Sequence, residues 1–216
     1  MAAAFSPLPG IVAALLVRPV KPIGGTRIPF YRVARLILLP GAGLSRCALG
    51  FGAIAAFSTL LFREHGWSHA SFAMSAFGAA YVLARLLFAT LPDRFGGARI
   101  AMASAAVAAA GQFGMWFATS SAMAVAAAAL TGLGFSLAFP SFGVEAIRRV
   151  PPQNRGVALG AYAACFDVTM GVGVPALGMV VGTFGYSAAF AASAFAALAS
   201  LFIAIALASR SEPRTP

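Results

Sequence analysis

The stretch Leu91-Pro92-Asp93-Arg94-Phe95-Gly96-Gly97-Ala98-Arg99 is the conspicuous polar segment between two long apolar runs of this chain. Three of its nine residues are charged, and Arg85 precedes it within the first apolar run. About 20 mostly apolar residues are enough to cross a bilayer as a helix. The stretch therefore predicts a short polar turn that joins two membrane-spanning helices.

The composition of the whole chain indicates a membrane protein. Of the 216 residues, 61% are hydrophobic and only 9% are charged, and the mean hydropathy is +0.90. A water-soluble domain carries about a quarter charged residues, so this chain has too few polar side chains to cover a surface in water. The two cysteines both fall inside apolar runs, which argues against a disulfide framework.

Six apolar runs have the length of a membrane span. We place them near residues 41–62, 69–91, 98–118, 121–146, 155–182 and 185–209. The runs are long and continuous and lack the short alternation of a barrel, so the prediction is an all-α membrane protein of six transmembrane helices. In this division residues 41–209 form the six-helix bundle and residues 210–216 form a tail.

The basic residues are distributed as a topology signal. The formal net charge is +10, but the basic residues lie in separate connections and form no single stripe, so we do not expect nucleic acid as a partner. Six spans put both termini on one side, and that side carries 12 of the 15 basic residues. An excess of Lys and Arg marks the cytoplasmic side. We therefore predict that both termini are cytoplasmic.

Residues 1–40 precede the first predicted span. The apolar run at residues 11–17 is too short to span, is flanked by prolines, and has no basic segment before it as a signal peptide would. We interpret it as the end of a helix whose start is absent from this chain. Residues 21–35 then form a basic cytoplasmic linker.

A weak internal repeat supports a two-part bundle. Leu49-Gly50-Phe51 in the first span matches Leu133-Gly134-Phe135 in the fourth span. Three spans followed by three spans of opposite orientation form the inverted repeat of many transporters. The predicted fold is therefore a 3+3 inverted repeat.

Charged residues inside spans are costly in lipid and usually face a cavity or a partner. Arg46 lies in the first span, Arg85 in the second, Asp167 in the fifth, and Glu145 near the end of the fourth. The third and sixth spans carry no such charge, so they are the ones free to face lipid.

Arg85 and Asp167 are candidates for a substrate or proton-coupling site. From the rise per residue, Arg85 lies about 12 Å and Asp167 about 18 Å from the ends of their spans on the side of the termini. One interpretation is an ion pair or a shared polar site, and the other is that each charge snorkels or pairs separately. A carboxyl buried near mid-membrane can take up and release a proton, which favours Asp167 for coupling, with a structural ion pair as the alternative.

Two further groups of residues complete the candidates. Arg148 and Arg149 follow Glu145 at i+3 and i+4, so we expect an ion pair at the helix end. The spans that carry charges also carry aromatic residues, which either line a cavity or serve as packing: Phe57, Tyr81, Phe139 and Tyr162.

The polar turn and the spans around it resemble the major facilitator superfamily, in particular its carboxyl-terminal half. In that family a loop of the form Gly-x-x-x-Asp-Arg-x-Gly-Arg-Arg joins the second and third helices of each half. The matching residues are Asp93, Arg94, Gly96 and Arg99. Ala89 stands in the place of the first glycine, and Gly97 and Ala98 stand where the family has basic residues. The resemblance covers residues 35–209, and is nearest to bacterial sugar-efflux or multidrug-efflux permeases.

The resemblance implies a function and partners. It implies secondary transport of a small organic solute in the bacterial inner membrane, outward and proton-coupled, with no enzymatic activity, cofactor or metal. It implies that the first, second, fourth and fifth spans face a central cavity. It also implies a second six-helix half, supplied by a separate chain, a missing segment or a second copy. The conformational latch of the family maps onto Asp93, Arg94, Gly96, Gly97 and Arg99.

Two rival functions remain. A truncated, non-transporting remnant or membrane scaffold is the stronger one. A rhomboid-like intramembrane protease is remote: Gly134-Phe135-Ser136-Leu137 offers a serine, but the two histidines, His65 and His69, lie around the first external loop. Ser136 therefore has no general base that the sequence can assign.

Overall fold

The computed structural model describes residues 28–211, and this part of the chain is a helical bundle. The helices are α1 (Phe30–Glu64), α2 (Ser71–Phe88), α3 (Leu91–Phe95), α4 (Gly97–Trp116), α5 (Ser121–Arg148), α6 (Arg155–Val168), α7 (Val174–Phe184) and α8 (Tyr186–Ser211). A 3₁₀ turn, Pro152–Asn154, leads into α6, and a π-helical turn, Thr169–Gly173, joins α6 to α7. The two helices with this turn form the fifth span.

Five segments of the described chain are long and apolar enough to cross a membrane. They are α1, α2, α5, the fifth span and α8. The remaining predicted span, α4, has 20 residues, but Arg99, Gln112 and many alanines and glycines keep it less apolar. It packs between α5 and α8, so it belongs to the same bundle. The prediction of an all-α membrane fold is confirmed.

The amino end of the bundle differs from the prediction. Helix α1 begins at Phe30, not near residue 41, so the second part of the predicted linker is helical. Val33 and Ile37 are buried, and this packing extends the helix through Pro40. The predicted partial helix at residues 11–17 lies outside the described residues. At the other end, α8 continues to Ser211, so the beginning of the predicted tail is helical as well.

The contacts between spans follow a pseudo-twofold pattern. Helix α1 packs against α8 as α5 packs against α4, and α2 packs against α5 as the fifth span packs against α1. Phe51 and Phe135, which end the two Leu-Gly-Phe repeats, stack with ring centroids 5.6 Å apart and planes 2° apart. The equivalent residues of the two repeats thus meet, as expected for a 3+3 inverted repeat.

Small residues allow the central helices to approach closely. A Cβ atom added to Gly134 in α5 would lie 2.5 Å from the backbone nitrogen of Ala108 in α4. Gln112 of α4 is fully buried and donates to the carbonyl oxygen of Gly50 in α1 and to Thr131 in α5. These contacts hold α1, α4 and α5 together around a polar group that has no access to water.

Burial differs strongly between spans. In the most apolar 18-residue window, 56% of α5 and 50% of α1 is buried, against 17% of α2 and 11% of the fifth span. Helix α8 is intermediate at 39%. The second and fifth spans therefore flank the bundle with most of their surface uncovered.

Candidate functional site

An aromatic cluster joins the first, second, fourth and fifth spans. We define it by seven residues whose rings contact one another: Phe51, Phe77, Tyr81, Phe135, Phe139, Tyr162 and Phe166. Phe135 lies at its centre, with ring centroids 5.6 Å from Phe51, 6.1 Å from Tyr81 and 6.3 Å from Phe166. Aromatic pairs favour such offset and tilted geometries. The four spans that carry charges thus meet in one place.

The rings are not all enclosed. Phe51, Tyr81, Phe139 and Phe166 are half-buried, whereas Phe77, Phe135 and Tyr162 are buried. The hydroxyl of Tyr162 donates to the carbonyl oxygen of Phe139 at 2.6 Å. The cluster therefore presents a partly open apolar surface on a rigid base.

Arg85 lies one helical turn after Tyr81 on α2, and its side chain is exposed. Its Nη1 donates to the carbonyl oxygen of Ser136 in α5 at 3.0 Å, while the Ser136 hydroxyl donates to the carbonyl oxygen of Tyr81 at 2.8 Å. The two hydrogen bonds run in opposite directions between α2 and α5. They fix the guanidinium group beside the aromatic cluster.

Asp167 follows Phe166 on the fifth span and is exposed. Within residues 28–211, ion pairs with N···O distances up to 4.0 Å join Glu145 to Arg148 and Arg149, and none joins Asp167 to Arg85. The direct Arg85–Asp167 pair is thus not formed in this structure, and Arg85 donates to the carbonyl oxygen of Ser136. Both charges lie next to residues of the same aromatic cluster.

The other two candidates inside the first span lie apart from this arrangement. Arg46 is half-buried, and its Nη1 donates to the carbonyl oxygen of Ala42, one turn earlier in α1. Phe57 is half-buried, and its ring lies within 3.9 Å of the position that a Cβ atom on Gly178 in α7 would take. Neither residue joins the aromatic cluster.

The polar turn forms a second arrangement, at the end of the bundle. Asp93, Arg94 and Arg99 are exposed, with Asp93 and Arg94 in the short helix α3. Gly96 ends α3 with φ of 88°, which a residue with a side chain rarely adopts. A Cβ atom on Gly97 would lie 2.5 Å from the carbonyl oxygen of Ser141, so a basic side chain has no room there.

Glu145 fastens this turn to α5. It is 2% exposed, and its Oε1 accepts a hydrogen bond from the backbone N–H of Ala98 at the first turn of α4. Its oxygens lie 3.5 Å from Arg148 Nη1 and 3.9 Å from Arg149 Nη2, at the predicted spacing. A carboxylate at a helix amino terminus is favoured by the helix dipole. Glu145 is therefore also the cap of α4, which the sequence spacing did not reveal.

Four members of the aromatic cluster were not predicted: Phe51, Phe77, Phe135 and Phe166. Phe51 and Phe135 carried a signal, because they end the internal repeat. Phe77 lies four residues before Tyr81, and so on the same helix face. Phe166 carried no comparable signal, since the chain holds 19 phenylalanines.

Comparison with known proteins gives consistent matches. Residues 38–216 match the sequence model of the Major Facilitator Superfamily. An uncharacterized MFS-type transporter of Pseudomonas aeruginosa strain UCBPP-PA14 is 44% identical over 193 residues, which cover 89% of this chain and 48% of that protein. An uncharacterized MFS-type transporter of Burkholderia mallei strain SAVP1 is 40% identical over 198 residues, covering 92% and 49%. The chain spans about half the length of the curated relatives it matches.

Proposed function

Because the chain belongs to the major facilitator superfamily, we propose that it acts as the carboxyl-terminal half of a proton-coupled transporter that exports a small organic solute. The observation that carries this proposal is that two exposed charges, Arg85 one turn from Tyr81 and Asp167 adjacent in sequence to Phe166, lie on the two least buried spans. Charges on membrane spans are retained where they face a cavity or a partner. The uncovered faces of the second and fifth spans are where a second six-helix half would pack.

The chemistry of the arrangement favours an amphipathic solute. The half-buried rings of Phe51, Tyr81 and Phe139 offer an apolar surface for an organic group, and aromatic faces also attract cations. Asp167 would attract a positive charge on the solute or hold the coupling proton. Arg85, held by Ser136, would set the position of an anionic group of the solute.

The exposed charges of the polar turn support a latch. Asp93 extends from α3 into solvent, whereas Glu145 fastens the adjacent start of α4. In this proposal Asp93 meets the amino end of a helix in the second half. The chain lies in a bacterial inner membrane, with both of its termini on the cytoplasmic side. Rocking of the two halves around the aromatic cluster would then open the site to either side.

Two observations disfavour the rival functions. The Ser136 hydroxyl is buried and donates to a backbone carbonyl, and His65 stacks on Trp67 with ring centroids 4.6 Å apart. This arrangement supports a carrier over a serine protease. A scaffold would have no use for Arg85 and Asp167 beside a half-open aromatic surface.

Reconstitution into liposomes with an imposed pH gradient tests the proposal, with ethidium as an amphipathic cationic probe. The 216-residue chain is assayed alone and together with the amino-terminal half of the Pseudomonas relative. We expect gradient-dependent ethidium flux with the second half. Flux from this chain alone would indicate a second copy as the partner, and flux in neither preparation would contradict transport and favour the scaffold.

Variants then locate the site. Arg85→Gln and Asp167→Asn should each reduce flux, and the double variant should deviate from the product of the single effects by about fivefold, as expected for interacting residues. Arg63→Gln and Glu64→Gln remove exposed charges at the carboxyl end of α1, outside the proposed site, and serve as matched controls. Independent, multiplicative losses for Arg85 and Asp167 would rule out a shared site.

For the latch, Asp93→Asn should reduce flux only in the preparation that contains the second half.

A further inference from the structure

A basic cleft lies at the end of the bundle where α1 begins and α5 and α8 end. Its volume is about 610 Å³, within the range of small-ligand sites. Four arginines from three helix ends line it, together with apolar residues of α1. The lining residues used below are Arg32, Arg35, Arg149, Arg210, Leu36 and Leu39.

The cleft lies at the level of lipid headgroups. Helix α1 has 35 residues and is about 52 Å long, well beyond the hydrocarbon core of about 30 Å. Its first turns therefore extend past the core on this side. Tyr31, also at the cleft, is 66% exposed, and tyrosines are enriched at membrane–water interfaces. Leu36 and Leu39 continue the lining along α1 toward the hydrocarbon.

Among residues 28–211, few carboxylates offset the charge of these arginines. Arg32 and Arg35 occupy the first two turns of α1, where the helix dipole disfavours cations. The Nε atom of Arg149 is buried, and within residues 28–211 it has no hydrogen-bond partner. Glu145 offsets part of the charge of Arg149 at 3.9 Å, which leaves the other three arginines without a carboxylate within 4.0 Å among the described residues. An anion in the cleft would offset the positive charges that the arginines bring together there.

We propose that this cleft binds the phosphodiester headgroup of an anionic phospholipid, such as phosphatidylglycerol. Guanidinium groups bind phosphate oxygens through paired hydrogen bonds, and several converging arginines suit a group with two free oxygens. The acyl chains then lie along Leu36 and Leu39, in the hydrocarbon. Basic pockets between membrane helices recognise anionic headgroups in this way.

A soluble phosphate compound shares the headgroup chemistry but not the acyl chains. The apolar part of the lining, from Leu36 to Leu39, gives such a compound nothing to contact. The lipid source is therefore favoured by the apolar lining and by the level of the cleft. The headgroup would join α1, α5 and α8 and so stabilise this end of the bundle.

Native mass spectrometry of the 216-residue chain in detergent tests the proposal. The probes are phosphatidylglycerol and phosphatidylcholine with identical acyl chains, and inorganic phosphate as competitor. We expect phosphatidylglycerol to be retained preferentially, with affinity reduced about fivefold for each cleft arginine removed. The test variant is Arg32→Gln/Arg35→Gln, and the control Arg94→Gln/Arg155→Gln removes the same charge from exposed positions outside the cleft at the same end of the bundle.

Three results would overturn the proposal. These are unchanged phosphatidylglycerol binding in the test variant, an equal loss in the control, or displacement of the lipid by inorganic phosphate at equal concentration. An equal loss would mean that net charge alone attracts the lipid, and displacement would mean that a soluble phosphate is the ligand. If the double variant does not fold, Arg210→Gln on α8 is tested in its place. We expect its affinity for phosphatidylglycerol to fall about fivefold.

Discussion

The four inner spans and the two flanking spans of this bundle have similar composition but opposite environments. Helices α1, α4, α5 and α8 pack against one another through glycine, alanine and serine, with hydrogen bonds from Gln112 and Ser200 inside. Helix α2 packs mainly on α5 and the fifth span mainly on α1, and their outer faces carry large exposed residues such as Leu86 and Met179. The inner spans therefore provide the scaffold, and the flanking spans carry the surface on which function depends.

This difference separates two kinds of charge. Glu145, at the scaffold, is buried and fully engaged by neighbouring groups. Arg85 and Asp167, on the flanking spans, remain exposed. Changes in the scaffold should lower stability, and changes on the flanks should alter transport and leave stability largely intact.

The largest effect is expected where the flanks attach to the scaffold. Phe135→Ala removes the central ring of the aromatic cluster, and we expect destabilisation by about 3 kcal/mol or more because a cavity opens between four spans. Thermal unfolding of the detergent-solubilised chain measures this loss. Phe202→Ala on α8, where the ring is 69% exposed, is the matched control and should be nearly neutral. Equal losses for both would show that the cluster is not a packing centre.

A smaller effect is expected from a single added methyl group inside the scaffold. Gly134→Ala places a Cβ atom against the backbone of α4, so α4 and α5 must separate, at a cost of about 2 kcal/mol. Gly160→Ala lies on the flanking helix α6 with nothing within 4 Å of the added atom, and should be neutral or stabilising through helix propensity. Unfolding midpoints of the two variants provide the comparison. Similar midpoints would contradict the close α4–α5 contact.

The smallest of the three effects concerns the end of the scaffold. Glu145→Ala leaves the N–H of Ala98 without its cap and removes the partner of Arg149, which should cost about 1.5 kcal/mol. Glu64→Ala, at the carboxyl end of α1, removes an exposed carboxylate and is the control. Hydrogen exchange at the first turn of α4 should rise in the first variant only. Unchanged exchange there would assign Glu145 to a role other than capping.

The sequence predicted the long apolar helices because length and apolar composition, which determine insertion into lipid, can be read from it directly. The one large error in their bounds, the start of α1, arose where Val33 and Ile37 pack against the bundle although arginines surround them. Charge content indicated a linker, but tertiary burial of one face kept the helix intact. Three matched residues indicated the internal repeat, and in the structure the phenylalanines that end the two copies, Phe51 and Phe135, stack on each other.

The candidate site was predictable only in part. Tyr81, Phe139 and Tyr162 stood out because they lie on spans that also carry charges, and they belong to the aromatic cluster. Phe57 met the same criterion, and Arg46 was a candidate as a charge inside a span, but both lie outside the aromatic cluster. The sequence could not show this, because the packing of a helix decides which neighbours each of its faces meets. The sequence left two alternatives for Arg85, a pair with Asp167 or a separate partner, because every span also offers carbonyl oxygens, and in this structure Arg85 donates to one of them in α5.

The sequence by itself determined that this chain is a multi-pass helical membrane protein built as half of a major facilitator fold, because span length, hydropathy and the Asp93 turn are local properties. Tertiary structure alone decided which polar groups meet. Glu145 caps a helix 47 residues away in sequence, and Arg85 binds a carbonyl oxygen 51 residues away. Such contacts depend on the rotation and spacing of packed helices. Those are set by glycine and alanine contacts across the bundle, not by any one segment of the chain.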